Sequence, residues 1–475
     1  MYDHTKQYRC TIIRGKSQKE MDDLLPAYAK VIDEICPCKA NDFEKMFNNE
    51  FESYLPKHDR TKKTLDNHRT EISGKLFGMY YLAADGMIYE SERTQKFLAD
   101  NDQPAFFKDV CYKMQFPNGM QKIATTVRQR IKDKICINAN AFLLKFLQIA
   151  RTAGVDISKS DIGYYILNAL DVLQGNANPY EVLEVVVADK KAGVQRKVST
   201  PGKASSYSNQ HINEQLNYLE LANLIRIKDN KIVILNPKED ETICLFAEKW
   251  DKKPSFNMYN YDIDSAESRK KMQLEWDLYF SKISTEADKF STSAAALIVE
   301  EAVPDKHRDD NKRFNLTEFG DEGESVVYEY EKKRVAKYSQ RLANKVLSLG
   351  KTKGLGYDIQ SVIAEPGEND EFVKYIEVKS TKRYTCPDIN DTLWIDTLNI
   401  TRNEWIAANQ HGEFYSIYRV YFTQNGITIF ILANVAEKFN DGRMQAIPMT
   451  YRVDFKNICV DEVVDLNISE VSDNV

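Results

Sequence analysis

The sequence predicts a multi-domain protein, α-rich over its first half and mixed α/β over its last third. Three observations predict it. The chain has 475 residues, well above the roughly 250–300 at which a single hydrophobic core stops growing. Between Ile157 and Leu235 apolar residues recur at three- and four-residue spacing, then alternate over two short runs about a polar turn, a helical pattern followed by a hairpin. Between Gly354 and Leu432 short apolar runs with strand alternation enclose one stretch of helical spacing. Hydrophobic residues make up 43% and charged residues 29%, ordinary for a soluble globular chain. No run approaches the 18 or so apolar residues that a membrane span needs. Met1-Tyr2-Asp3-His4-Thr5-Lys6 lacks the apolar stretch of a signal peptide, so a cytoplasmic location is expected. Of the 8 cysteines only Cys36 and Cys38 are close, with no second pair or nearby His. Free thiols in a reducing compartment are expected rather than a zinc site.

Residues 1–150 form a first, helical subdomain in this reading. Lys63-Thr64-Leu65-Asp66-Asn67-His68-Arg69-Thr70-Glu71-Ile72 followed by Lys75-Leu76-Phe77-Gly78 reads as a loop running into an amphipathic helix. Phe106-Phe107-Lys108 and Gln115-Phe116-Pro117-Asn118-Gly119 follow. These phrases and the layout resemble the N-terminal recognition regions of some type II restriction endonucleases, where tandem winged-helix units precede a nuclease domain. The resemblance implies contacts to DNA from Asn67, Arg69 and Thr70. Each of these side chains would equally serve to cap or solvate a helix.

Residues 151–245 form the second subdomain. Ser158-Lys159-Ser160-Asp161-Ile162 starts a helix with Ile162, Tyr165, Ile166 and Leu170 on its apolar face; a second spans Tyr180 to Asp189. A third opens at Ser206-Tyr207-Ser208 and sets Ile212, Leu216 and Leu219 inward, with Asn209, Gln210, Asn213, Glu214 and Asn217 on its other face. Leu224 to Ile227 and Lys231 to Ile234 flank the turn Lys228-Asp229-Asn230. Three helices and a hairpin give the winged helix-turn-helix order. Amides such as Asn209, Gln210 and Asn213 are the residue types that read base edges in the major groove, and Arg226 on the wing suits a phosphate. A small helical core with an amide-rich outer face is the alternative. Asn236-Pro237-Lys238-Glu239-Asp240 closes this unit, and residues 246–313, polar and charge-dense, read as a helical linker.

Residues 314–475 carry the chemistry. Asp358 sits in Gly354-Leu355-Gly356-Tyr357-Asp358-Ile359, and farther on Tyr375-Ile376-Glu377-Val378-Lys379-Ser380 places an acid and a base two positions apart. Alternation along a strand points Glu377 and Lys379 to one face while Ile376 and Val378 face a core. Asp358, beside glycines that open its strand, reaches the same point. Two such carboxylates suit a hard cation such as Mg²⁺, and a lysine beside them can orient water and offset phosphate charge. Taken alone, Glu-x-Lys on a strand is more often a solvated surface pair. Upstream, Gly320-Asp321-Glu322-Gly323-Glu324-Ser325 enters a helix with Val326, Val327, Tyr330 and Val335 apolar. Downstream, Thr401-Arg402-Asn403-Glu404 has capping-box spacing before Trp405 and Ile406. Two apolar strands, Tyr415 to Phe422 and Ile427 to Leu432, flank Thr423-Gln424-Asn425-Gly426.

The order helix, strand, strand, helix, strand, strand, with these motifs, resembles the PD-(D/E)xK nuclease superfamily. Within it the chain is similar to a domain-of-unknown-function family marked by the phrases found here at 320–324, 356–359, 376–381, 401–405 and 415–420. The likeness covers about a quarter of the chain. It implies Asp358, Glu377 and Lys379 as the catalytic set, Mg²⁺ held by Asp358, Glu377 and the Val378 carbonyl, and Glu324 as an accessory carboxylate, with Glu331 as a second candidate for that role. Tyr357 stands where the superfamily name has proline; the carboxylate at Asp358 is intact.

The net charge is −6, so binding nucleic acid requires segregated charge. Two stretches qualify: Lys122, Arg128, Arg130, Lys132 and Lys134, and Lys190, Lys191, Arg196, Lys197 and Lys203. A Walker pattern is absent, for Gly350-Lys351-Thr352 has no glycine five residues before it; ATP dependence is not expected. The function expected is a Mg²⁺-dependent, sequence-specific DNA endonuclease of restriction-modification type, homodimeric at least while cutting both strands. A modification-dependent or anti-phage defence nuclease, or a DNA-binding protein with an inactive nuclease fold, are the alternatives.

Overall fold

The computed structural model describes residues 17–120, 124–199, 205–299, 322–350, 352, 354–364, 372–447 and 451–466. The chain divides into two compact units, Met1–Thr292 and Ser293–Val475.

In the first unit α1 (Gln18–Ile35) starts at a capping box between Ser17 and Glu20 and buries Leu25, Tyr28 and Ile32. Next, α2 (Ala40–Phe51) buries Phe43, Phe47 and Phe51, one per turn. The stretch expected to run from loop to amphipathic helix is instead a short α-helix, Lys62–Asp66, continuing as a π-helix, Asn67–Leu76. Phe106 and Phe107 are buried on α3 (Gln103–Lys113), and α4 (Ala139–Thr152) follows. Ser158 caps a single helical turn, Lys159–Ile162, that passes into a π-helical turn, Gly163–Leu167. The two remaining expected helices are α5 (Pro179–Lys191) and α6 (Ser205–Leu221). On α6, Ile212, Leu216 and Leu219 are buried as their spacing requires. Gly163 admits α6, since a Cβ there would lie 2.2 Å from Ile212 Cδ1. The hairpin is β1 (Ile225–Lys228) against β2 (Ile232–Leu235). Its turn residues Asp229 and Asn230 have φ of 51° and 54°, the left-handed pair that tight hairpins use and that Asp and Asn tolerate. A bridge from Ser158 to Ile232 extends this sheet.

One core runs through this unit from Met21 to Phe290, which corrects the linker assigned to residues 246–313. The helices α7 (Asp240–Ala247) and α8 (Ala266–Ser281) belong to the unit. Trp276 and Phe280 are each 1% exposed and Phe290 is fully buried. Gly119 accommodates the indole, for a Cβ there would sit 2.2 Å from Trp276 Cγ. Losing one such aromatic from a core costs about 3–5 kcal/mol. A fragment ending at Asp240 is therefore expected to lack cooperative unfolding, while one ending at Thr292 keeps it; circular dichroism during heating separates the two outcomes. The rest of the expected linker, from residue 300 on, lies outside the described residues, as do the first residues of the expected nuclease domain.

The second unit begins, after a turn of helix at Ala294–Leu297, with α9 (Glu322–Ala336). Then come β3 (Leu347–Ser348), β4 (Ile359–Val362), β5 (Val373–Lys382), β6 (Asp396–Ile400), α10 (Arg402–His411), β7 (Tyr415–Thr423) and β8 (Gly426–Ala433). The chain continues through β9 (Met444–Ile447), β10 (Tyr451–Phe455) and β11 (Glu462–Leu466). Six strands form a mixed sheet in the order β11-β8-β7-β5-β4-β3. Only β5 and β7 pair in parallel, and α10 lies in the connection between them, as a parallel pair requires. On one face Ile376, Val378, Tyr418 and Val420 pack with Val326, Val327 and Val335 of α9. On the other, Tyr415, Ile417 and Tyr421 pack with Trp405 and Ala408 of α10 and with Leu398 and Phe455. A second sheet, β9-β10-β6, has no counterpart in the sequence reading. Among the described residues no helix is long and apolar enough to cross a membrane.

Candidate active site

The site forms where β4 begins beside β5. Their register pairs Ile359 with Ile376, which sets Asp358 across from Glu377. The Asp358 N–H donates to the Ile376 carbonyl at 2.9 Å, and the Val378 N–H donates to Asp358 Oδ2 at 2.8 Å. Gly356, at φ 78°, lets α10 come close: a Cβ there would lie 2.5 Å from the Asn403 carbonyl oxygen and 2.8 Å from Ala407 Cβ. Tyr415 donates its hydroxyl to the Gly356 carbonyl at 2.9 Å, fixing the turn that carries Asp358.

Glu377 is 3% exposed. Lys379 Nζ lies 2.6 Å from Glu377 Oε1 and 3.0 Å from Glu404 Oε2. Glu404 stands in the first turn of α10, where its carboxylate also accepts the Thr401 N–H at 2.9 Å and completes the capping box. Burial drives the Glu377 carboxyl well above its ordinary range, with Asp358 and Glu404 adding to the rise and Lys379 opposing it. For Lys379 burial disfavours the ammonium, but Glu377 and Glu404 outweigh it and raise its pKa. Lys379 thus pairs with two carboxylates, and Asp358 adds a third acid beside Glu377.

That surplus bears on the expected metal. Among the described residues no cluster of three or more His, Cys, Asp or Glu side chains forms a metal site. The donors available are two carboxylates, Asp358 and Glu377, and one carbonyl. In a strand the N–H and C=O of a residue leave by the same edge. Since the Val378 N–H meets Asp358, its carbonyl emerges on that side too. An all-oxygen set short of positive charge fits a hard divalent cation.

Glu324, in the first turn of α9, packs on the loop that supports Asp358. A Cβ on Gly350 would lie 2.3 Å from Glu324 Oε2, and the neighbouring Leu349 N–H donates to the Asp358 carbonyl at 2.6 Å. Glu331 does not share this place. It is fully buried and accepts from Arg334 at 3.0 and 2.8 Å, from Ser361 at 2.6 Å and from Tyr418 at 2.6 Å. With those partners it ties α9 to the sheet and drops out as an accessory carboxylate. Glu404 is the residue the sequence reading passed over; its spacing signalled a cap, and nothing local pointed to Lys379.

In the first unit Asn209, Gln210 and Asn213 are exposed along α6. Glu214, expected beside them, is instead buried, and burial pushes its carboxyl up to about 7. Asn217 is half-buried. Arg226 is half-buried, with Nη2 donating to Asn223 Oδ1 at 3.1 Å. In the π-helix Asn67 is half-buried, but Arg69 is turned inward, its Nη2 2.9 Å from Asp66 Oδ1 and 3.2 Å from Glu44 Oε2. Thr70 donates to the Asp66 carbonyl at 2.8 Å. Arg69 and Thr70 thus hold this turn together.

The basic stretches are also thinner than their sequences suggest. Arg128 pairs with Asp264 at 2.6 Å, and Arg130 is buried over Phe116. Lys190 pairs with Asp161 at 3.1 Å and Arg196 with Asp189 at 2.9 Å. Lys132, Lys134, Lys191 and Lys197 are exposed. Lys122 and Lys203 lie outside the described residues.

The first unit defines the class. Residues 2–277 match the family described as restriction endonuclease BpuJI, N terminal, and the chain belongs to that family. A crystal structure of pyrene- and phenanthrene-modified DNA in complex with the BpuJ1 endonuclease binding domain is 51% identical to this chain. The match covers 59% of this chain and 100% of that one, with a TM-score of 0.56. In the second unit residues 323–432 match the family described as protein NO VEIN, C-terminal. A NO VEIN-like protein from Arabidopsis thaliana is 29% identical over 130 residues, which span 27% of this chain and only 17% of that protein.

Proposed function

We propose that the protein is a Mg²⁺-dependent, sequence-specific DNA endonuclease of restriction type, in which the first unit recognises duplex DNA and the second hydrolyses it. The observation that carries this reading is the meeting of Asp358, Glu377 and Lys379 in one chain with a restriction-endonuclease N-terminal region. Asp358, Glu377 and the Val378 carbonyl would hold the cation, and Glu324 would act from the loop side. The cation supplies a lowered water pKa and charge to set against the phosphate. Lys379 orients the attacking water and offsets negative charge as it develops on the phosphate oxygens. In-line attack that breaks the 3′-oxygen–phosphorus bond leaves 5′-phosphate and 3′-hydroxyl ends, as the nuclease resemblance implies. One site per chain cuts one strand, so a double-strand break calls for a second copy. Chelation tests the metal: plasmid cleavage is expected with Mg²⁺ and none with EDTA, and equal cleavage in both would refute it.

Recognition is assigned to the exposed amides of α6, with Arg226 on the hairpin against phosphate. Each good bidentate base contact is worth about 1–3 kcal/mol of discrimination. Replacing Asn209, Gln210 and Asn213 together by Ala is expected to weaken or relax site recognition and leave the melting temperature nearly unchanged, because none of the three is buried. Arg226→Ala should weaken binding evenly across sequences and flatten its salt dependence. Fluorescence anisotropy on cognate and scrambled duplexes over a salt series measures both. An unchanged footprint in the triple variant would shift recognition toward Asn67 and the exposed lysines.

A further inference from the structure

We propose that Glu404 is a positioning residue for cleavage: its carboxylate holds the Lys379 ammonium beside Glu377 and aims it into the site. This rests on the nuclease reading above. Lys379 Nζ touches two carboxylates, Glu377 Oε1 at 2.6 Å and Glu404 Oε2 at 3.0 Å. They come from different elements, one from the same strand face and one from the first turn of α10. The lysine side chain is 21% exposed, against 4% for Glu377 and 13% for Glu404, so the group sits largely out of water, where charge pairs act strongly. A lysine tied only to its strand neighbour would lose that partner whenever Glu377 is drawn to another cation. The second carboxylate keeps the ammonium in place when that happens.

Helix α10 is itself fixed for the task. Glu404 is held through its cap on the Thr401 N–H at 2.9 Å, Gly356 seats the helix against the turn that carries Asp358, and Trp405 is buried under it. One oxygen of Glu404 serves both the cap and the lysine. The two roles separate by substitution. Glu404→Gln keeps an acceptor for the Thr401 N–H and removes the charge, whereas Thr401→Ala weakens the cap and leaves the charge.

The test uses the full chain and two readouts. Trace acetylation with acetic anhydride, in EDTA and without DNA, reports how firmly each lysine ammonium is held. Glu404→Gln is expected to raise the labelling rate of Lys379 at least tenfold while other lysines stay within twofold, and Thr401→Ala to leave Lys379 within threefold of wild type. Single-turnover cleavage of plasmid with Mg²⁺ should fall at least thirtyfold in Glu404→Gln, with DNA affinity measured in Ca²⁺ and the melting temperature unchanged. Thr401→Ala should show the reverse, a lower melting temperature with cleavage within threefold of wild type. Unchanged Lys379 labelling in Glu404→Gln overturns the positioning role whether or not the wild type cuts DNA. So does a loss of cleavage that tracks melting temperature in both variants. Faster Lys379 labelling in Glu404→Gln than in a wild type that itself cuts no DNA upholds the clamp and refutes the nuclease reading instead.

Discussion

Lys379→Ala and Asp358→Asn are each expected to lower single-turnover cleavage by about 10²–10³-fold or more, the loss seen when one group that stabilises transition-state charge is removed. In the proposed mechanism Lys379 offsets the developing phosphate charge, and Asp358 is, with Glu377, one of the two carboxylates that would hold the metal. Asp358→Asn retains an oxygen to accept the Val378 N–H, so the start of β4 is preserved. Glu377→Ala belongs to the same class of loss. The proposed function assigns recognition to the other unit, so affinity for a cognate duplex in Ca²⁺ should stay within about twofold. Any one of these variants cutting at close to the wild-type rate would remove that residue from the catalytic set.

Arg419→Ala should give the largest loss of stability in the second unit. Arg419 is 2% exposed and donates to both oxygens of Asp396, at 2.7 and 3.3 Å, and to the Ser380 carbonyl at 3.0 Å. Tyr421 completes the group with a 2.6 Å hydrogen bond to Asp396. Breaking a buried pair by removing one partner costs about 3–5 kcal/mol, since the other charge is left uncompensated. Denaturant unfolding of the second unit measures it; a loss below about 1 kcal/mol would mean that water reaches Asp396. The pair also gives a pH dependence. Burial disfavours the Asp396 carboxylate, but Arg419 and Tyr421 outweigh it and hold its pKa below the ordinary value. A depressed carboxyl contributes stability that is present above the unfolded pKa of about 3.9 and is lost as pH falls through the lower folded value. The stability gap between wild type and Asp396→Asn should therefore be full at neutral pH and shrink on acidification below about 4.

Much of the second unit was legible because its signals are local. Alternation placed Ile376 and Val378 in the core and Glu377 and Lys379 on the other face, and paired glycines marked the turn before Asp358. The same holds for α6 and for the hairpin turn at Asp229 and Asn230. Non-local features were not legible. Strand β6 becomes a strand through pairing with β10, whose partner residues lie more than fifty positions away. Residues 246–292 look like a linker because charged residues such as Lys249, Asp251, Lys252 and Lys253 surround few apolar ones. Trp276, Phe280 and Phe290 nonetheless fill space left by the earlier helices. Arg69 reads as a free cation until Asp66 and Glu44 close on it. Glu404 shows the limit most clearly, since Thr-x-x-Glu spacing announces the cap and is silent about the lysine that shares its oxygen.

The central claim, that this chain cuts DNA with the Asp358–Glu377–Lys379 group, is tested most directly by incubating the 475-residue chain with unmodified and methylated plasmid in Mg²⁺ and sequencing the ends. Lys379→Ala, purified in the same way, serves as the control. The predicted result is double-strand breaks at fixed positions relative to a recurring sequence, with 5′-phosphate and 3′-hydroxyl ends, on at least one of the two plasmids and with none in the control. Intact plasmid of both kinds, or the same breaks produced by Lys379→Ala, would contradict it.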